Sequence, residues 1–115
     1  MFKIFTLIPL SFTVIFAFGN DQAISPALTL RCAPCHGPDL NGVGGVFPSL
    51  MTSELVKSGN MEGVIKFITH GSPPDSKSLV KMPAKGGHLD LGDKEIRDIA
   101  KQVIELAKNY VEKKA

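Results

Sequence analysis

The sequence predicts an all-α domain of three main helices, and three stretches carry that prediction. From Asp93 to Lys114, apolar residues recur at Ile96, Ile99, Ala100, Val103, Ile104, Ala107, Tyr110 and Val111, spacings of three and four that form one continuous stripe. Ser25 followed by Pro26 is a helix-start signal, with Ser as N-cap and Pro at the first helical position, so a short helix should run into Cys32. Asn60 to Gly71 reads as a helix capped by Asn60 and closed by Gly71, with Met61, Ile65 and Ile68 on one side.

The 115 residues, with Gly and Pro spread throughout and no internal repeat or low-complexity tract, fit one globular domain. Charged residues make up 21% and the formal net charge is only +2, too balanced for a nucleic-acid binder or an anionic-membrane binder.

The first element is of another kind. Lys3 is followed by an apolar run from Ile4 to Phe18 that contains Pro9 and ends in Ala17-Phe18-Gly19, small residues at the two positions a signal peptidase reads. The run is short for a span of about 20 residues. Residues 1–19 therefore read as a secretory signal, which implies a periplasmic or extracytoplasmic protein without stable membrane insertion after cleavage. The alternative is an uncleaved N-terminal anchor, because the basic region is thin and the cleavage site imperfect. The remainder, residues 20–115, is small enough that its core needs a further source of stability.

The chain has two cysteines, and they stand in Cys32-Ala33-Pro34-Cys35-His36. This is the pattern of covalent haem attachment: each thiol adds across one vinyl group, the spacing matches the two vinyls, and the adjacent imidazole falls onto the iron. A buried haem would also supply the missing stability, at about 25 cal/mol per Å² of apolar surface. Three other readings compete. A simple disulfide leaves His36 unexplained. A thioredoxin-like site would follow a strand, and no convincing strand precedes Cys32. A zinc site needs four ligands, yet His70 and His88 lie eighteen residues apart instead of roughly three to five.

Gly37 to Leu50 follows as a Gly-rich loop without helical periodicity. It lacks the Lys-Ser/Thr ending of a phosphate-binding loop, and its glycines let backbone pass close to a haem face.

Taken together, Cys32-Ala33-Pro34-Cys35-His36-Gly37, Gly45-Val46-Phe47-Pro48-Ser49-Leu50, Met82-Pro83-Ala84-Lys85-Gly86-Gly87 and the C-terminal amphipathic helix resemble a class I cytochrome c. The nearest likeness is to small bacterial monohaem proteins and the cytochrome subunits of periplasmic dehydrogenases. The resemblance covers residues 20–115 and implies three main helices around one covalently bound haem c, with the last helix crossing the first beside the haem. It implies an electron carrier rather than an enzyme. Its partners would be redox proteins, with a haem c subunit of a periplasmic dehydrogenase or oxidase as the alternative, and a five-coordinate haem enzyme or sensor as a further one.

The resemblance also nominates Pro48, whose carbonyl would accept from the ring N–H of His36 and so fix the imidazole tautomer. Met82 is the expected sixth ligand, because Pro83 holds it extended on an irregular loop and the family places such a Met-Pro pair over the distal haem face. Met51 follows the proximal loop too closely, and Met61 falls in a predicted helix as a core residue. His70 and His88 remain the bis-histidine alternatives.

Lys77, Lys81 and Lys85 bracket Met82 and could form a basic rim, although Asp75, Asp90 and Asp93 lie close in sequence. Two features depart from the family pattern: there is no Trp, and the first helix is short. Beyond residue 19 the aromatic residues are Phe47, Phe67 and Tyr110, so aliphatic side chains must supply most of a haem pocket.

Overall fold

A computed structural model describes residues 24–114 and, upstream of them, Pro9, Ser11 and Thr13. The expected signal at residues 1–19 therefore falls outside the described segment, as does the expected domain start at residue 20. Among the described residues the architecture is helical, with no strand and a single isolated bridge between Val43 and Phe47. No helix among the described residues is long and apolar enough to cross a membrane.

Helix α1 spans Pro26–Arg31, and α2, Ala33–His36, follows after Cys32. Ser25 caps α1 as its sequence requires: the hydroxyl accepts from the Leu28 N–H at 3.4 Å, and Pro26 occupies the first turn, where its missing N–H costs nothing. Cys32 keeps right-handed helical angles (φ −112°, ψ −41°), donates to Leu28 O at 2.9 Å and accepts from the His36 N–H at 2.9 Å. The Cys32–His36 segment is thus one turn of helix continuing α1.

Helix α3, Glu54–Lys57, is capped by Ser53. The sequence reading passed over it, since four residues are too few to display a helical period. Helix α4, Met61–His70, has the expected bounds, with the Asn60 side chain accepting from the Gly63 N–H at 3.0 Å. A tight turn, Ala84–Gly87, in which Lys85 and Gly86 take left-handed angles, precedes α5, which runs from Asp93 to Lys114.

The amphipathic stripe of α5 makes the core. Ile96, Ile99, Ala100, Val103 and Ala107 are all buried and join Leu28, Leu40, Met51, Val56, Val64 and Leu91 in one cluster. Full burial of each large aliphatic among them stabilises the fold by about 1.5–3 kcal/mol. Met51 belongs to this core, and Met61 packs on it half-buried.

Helix α5 lies mainly against α4 and α3. Its expected meeting with the N-terminal helix is made within the shared core cluster, which Leu28 of α1 joins. Helix α1 has fewer than two turns, so it reaches the core chiefly through Leu28 instead of along a shared axis.

Leu40 has φ +59°, in the left-handed region where a side chain costs about 1–2 kcal/mol. Its side chain is fully buried, which offsets that cost, so a leucine holds a turn where glycine would be expected. The bend is fixed by a hydrogen bond from the Leu50 N–H to Leu40 O at 2.9 Å, which closes the Gly-rich loop on itself.

Candidate haem site

Helix α2 sets Cys32, Cys35 and His36 within one turn. Cys32 is half-buried and Cys35 exposed, and both are free thiols. Burial pushes the Cys32 thiol up to about 11, with a smaller contribution from Cys35 next to it.

The His36 ring is fixed by the loop that follows it. Nδ1 lies 2.8 Å from the Pro48 carbonyl oxygen. A carbonyl only accepts, so Nδ1 carries the proton and donates, which leaves Nε2 with a free lone pair. Backbone bonds hold the loop in this shape, from the Gly42 N–H to His36 O at 2.8 Å and from the Val43 N–H to Phe47 O at 3.1 Å.

Met82 is positioned by Ser72. The Met82 N–H donates to the Ser72 hydroxyl at 2.8 Å, and the Ser72 N–H donates to Met82 O at 2.9 Å. Gly71, which ends α4 at φ +77°, lies flat against this strand of chain: a Cβ there would overlap the Met82 carbonyl oxygen and stand 2.7 Å from the Pro83 carbonyl carbon. Only glycine fits both the backbone angle and the space.

These pieces converge on one cleft of about 470 Å³, within the range of a small-molecule or cofactor site. Cys32, Cys35, His36, Pro48 and Met82 all line it. The wall between them is apolar, built from Leu50, Leu55, Val56, Val64, Ile68, Ile99 and Val103, with Phe47 and Phe67 as its aromatic members. Aliphatic side chains therefore do supply most of the surface, as the scarcity of aromatics requires.

A haem fits this donor set and this wall. Two thiols, one imidazole with a free Nε2 and one thioether are ligands and tethers suited to haem iron, and a large apolar face suits the macrocycle.

Neither alternative histidine joins the group. His70 is exposed at the end of α4. His88 instead accepts through Nδ1 from Arg31 Nη1 at 3.3 Å. Arg31, on the rim of the cleft, also forms a two-pronged ion pair with Asp90, at 2.9 and 2.8 Å. That pair raises the guanidinium and holds the Asp90 carboxyl below the usual carboxylate range. Of the three lysines expected around Met82, Lys81 lines the cleft, and its ammonium donates to Pro74 O at 3.0 Å.

Ser72, Gly71 and the Arg31–Asp90 pair are site features that sequence reasoning missed. Gly71 was visible as a helix end, but its second role beneath Met82 depends on a tertiary approach that no local pattern encodes.

The family described as "Cytochrome C oxidase, cbb3-type, subunit III" matches residues 27–101 of the chain. The chain belongs to this cytochrome c family. One relative of the cytochrome domain is the cbb3-type cytochrome c oxidase subunit CcoP of Rhodobacter capsulatus, 31% identical over 80 residues, which cover 66% of this chain and 27% of that protein. The cytochrome c subunits of quinone alcohol dehydrogenases from Gluconacetobacter polyoxogenes and Komagataeibacter europaeus are each 34% identical over 89 residues, covering 72% of this chain and 19% of theirs. The cytochrome domain thus spans about a quarter or less of the length of these relatives. No solved structure matches it. Membership in a cytochrome c family implies a c-type haem and transfer of electrons.

Proposed function

We propose that the chain binds one haem c covalently through Cys32 and Cys35, takes His36 and Met82 as axial ligands, and carries one electron at a time in an extracytoplasmic redox chain. Residues 1–19 would act as its secretory signal and residues 20–115 as the cytochrome domain. The observation that carries the reading is the meeting of all five residues at one apolar cleft, with the His36 Nδ1–H bonded to Pro48 so that Nε2 is free.

Bound there, haem supplies a ferric/ferrous couple. The chain's own residues do the rest. The thiols of Cys32 and Cys35 tether the ring, the Pro48 carbonyl holds the His36 proton on Nδ1, and Ser72 fixes the backbone from which the Met82 thioether extends. With haem in place, the aliphatic wall would keep water from the ring face it covers, which lowers the solvent reorganisation that accompanies a change of charge. If His36 and Met82 both hold the iron, no site would be left on it for substrate, so the reading is a carrier, not an enzyme.

A subunit role is a second reading, favoured by the names of the relatives: an oxidase subunit and dehydrogenase cytochrome c subunits. In it the electron chemistry is the same and the partner is permanent.

Intact mass and spectra of the purified holoprotein test the proposal. One added haem, lost from the covalent fraction in Cys32→Ala/Cys35→Ala, is expected. Carbon monoxide should bind the reduced Met82→Ala protein and not the unaltered one; binding to the latter would refute Met82 as ligand.

A further inference from the structure

The Pro48 carbonyl is aimed at His36 by a clamp on the peptide to which it belongs. The Ser49 hydroxyl donates to Asn41 Oδ1 at 2.6 Å and accepts from the N–H groups of Met51 at 3.1 Å and Thr52 at 3.2 Å. Asn41 Nδ2 in turn donates to the Tyr110 hydroxyl oxygen at 3.3 Å, which ties the loop to α5. The backbone N–H of Asn41 is held by Asp39 Oδ1 at 3.0 Å. From its other side the same peptide rests on Gly42. A Cβ at Gly42, whose φ is +91°, would stand 2.7 Å from Phe47 O, 3.0 Å from the Ser49 nitrogen and 3.2 Å from the Pro48 carbonyl carbon.

The direction of a carbonyl depends on the two torsions that flank its peptide. Here they are Pro48 ψ and Ser49 φ: the close packing of Gly42 against Phe47 O, the Pro48 carbonyl carbon and the Ser49 nitrogen limits the first, and three hydrogen bonds on one hydroxyl restrain Ser49, so the plane between them has little freedom left. His36 then meets a carbonyl that cannot turn away.

We propose that Asn41 and Ser49 are positioning residues that set the strength of the His36 Nδ1–H···O=C Pro48 hydrogen bond and thereby bias the haem's ferric/ferrous equilibrium. The inference rests on His36 as axial ligand. A strong bond at Nδ1 gives the imidazole partial anionic character and makes it a better donor, which favours the ferric state. Loosening the clamp weakens that bond and favours the ferrous state. Tyr110 anchors the far end, its hydroxyl lowered from the usual phenol value by Lys114 first and Asn41 second.

The test is a spectroelectrochemical titration of the holoprotein and its Ser49→Ala, Asn41→Ala and Ser49→Thr variants, joined to proton magnetic resonance of the ferric forms. Ser49→Ala should raise the ferrous/ferric ratio at fixed ambient potential about three- to tenfold, a positive shift of about 59 mV per tenfold for one electron. Asn41→Ala should move it in the same direction, the double variant no further than Ser49→Ala alone, and Ser49→Thr should stay at the unaltered value. The hyperfine-shifted Nδ1 proton of His36 should exchange faster in both alanine variants.

A lower thermal midpoint with unchanged potential and unchanged Nδ1 exchange would make Ser49 a structural residue only and overturn the proposal. Absence of any hyperfine-shifted His36 resonance in the unaltered protein would overturn the axial reading and the proposal with it. Should Ser49→Ala fail to mature, Tyr110→Phe removes the anchor while keeping the ring; the same sign of shift at smaller size is expected, and no shift in it or in Asn41→Ala would overturn the proposal.

Discussion

Ser72 and Met82 hold each other through both of their backbone N–H groups, one bonded to a hydroxyl at 2.8 Å and the other to a carbonyl at 2.9 Å. Nine residues of exposed and half-buried loop lie between them, so this pair of bonds closes the loop at its base. Met82 therefore projects from a point as fixed as a helix end, although no helix contains it.

Removing the Ser72 hydroxyl should loosen that point. Ser72→Ala leaves the Met82 N–H without its acceptor at a half-buried position, at a cost of about 1–2 kcal/mol. In the ferric holoprotein the weak long-wavelength absorption of thioether ligation should fade at lower denaturant concentration than global unfolding. Coincident transitions in the variant, at the unaltered midpoint, would show that Ser72 does not hold the ligand loop.

Gly71→Ala should be more severe, because it combines a left-handed backbone with overlap of the Met82–Pro83 peptide. Strain of this kind costs about 1–3 kcal/mol before the clash is relieved, and the clash can be relieved only by moving Met82 away from the end of α4. Both the stability measured by urea unfolding and the thioether absorption should fall together. A stable variant with intact absorption would mean that the loop shifts without disturbing its ligand.

The contrast between these residues shows what was legible in the sequence. Helix α5 could be bounded from its stripe alone, and Ser25, Asn60 and Gly71 announced the ends of α1 and α4, because caps and periods are local. Cys32, Cys35 and His36 were legible for the same reason: five consecutive residues carry their whole pattern. Ser72 was not, since a serine after a helix-ending glycine has no distinguishing mark until Met82 is placed against it. Leu40 would have been read as an ordinary loop hydrophobe, for only the closed loop reveals that its burial supports a left-handed turn. Asp90 was noticed merely as a charge near Lys85, while its partner, Arg31, is fifty-nine residues away.

The raised thiol of Cys32 makes a prediction for the chain before haem is attached. A value of about 11 against an ordinary 9.0 reduces the thiolate fraction at pH 8 about a hundredfold, and the thiolate is the nucleophile. In the reduced, folded chain, alkylation of Cys32 by iodoacetamide should be slower by about that factor than in urea, as resolved by peptide mass analysis. Equal rates in buffer and in urea would mean that the thiol is not buried before attachment.

The Arg31–Asp90 pair gives the holoprotein an acid-sensitive contact at the rim of the cleft. Asp90 is held below its usual range, chiefly by the hydrogen bond from Arg31, so the folded state favours its ionised form. The sign follows: the contribution is complete above the ordinary carboxylate value of the unfolded chain and is lost as pH falls through the depressed folded value. Asp90→Asn should therefore lower the urea midpoint at pH 7 and lose less stability than the unaltered protein between about pH 4 and pH 2, the two curves converging at the acid end. The Asp90 side chain is two-thirds exposed, so the difference at pH 7 should be small and should shrink further in molar salt, where screening reaches down to contact distances. Parallel curves at every pH would mean that the pair forms without favouring the charged carboxylate, and the acid sensitivity would then have to come from other carboxylates in the fold.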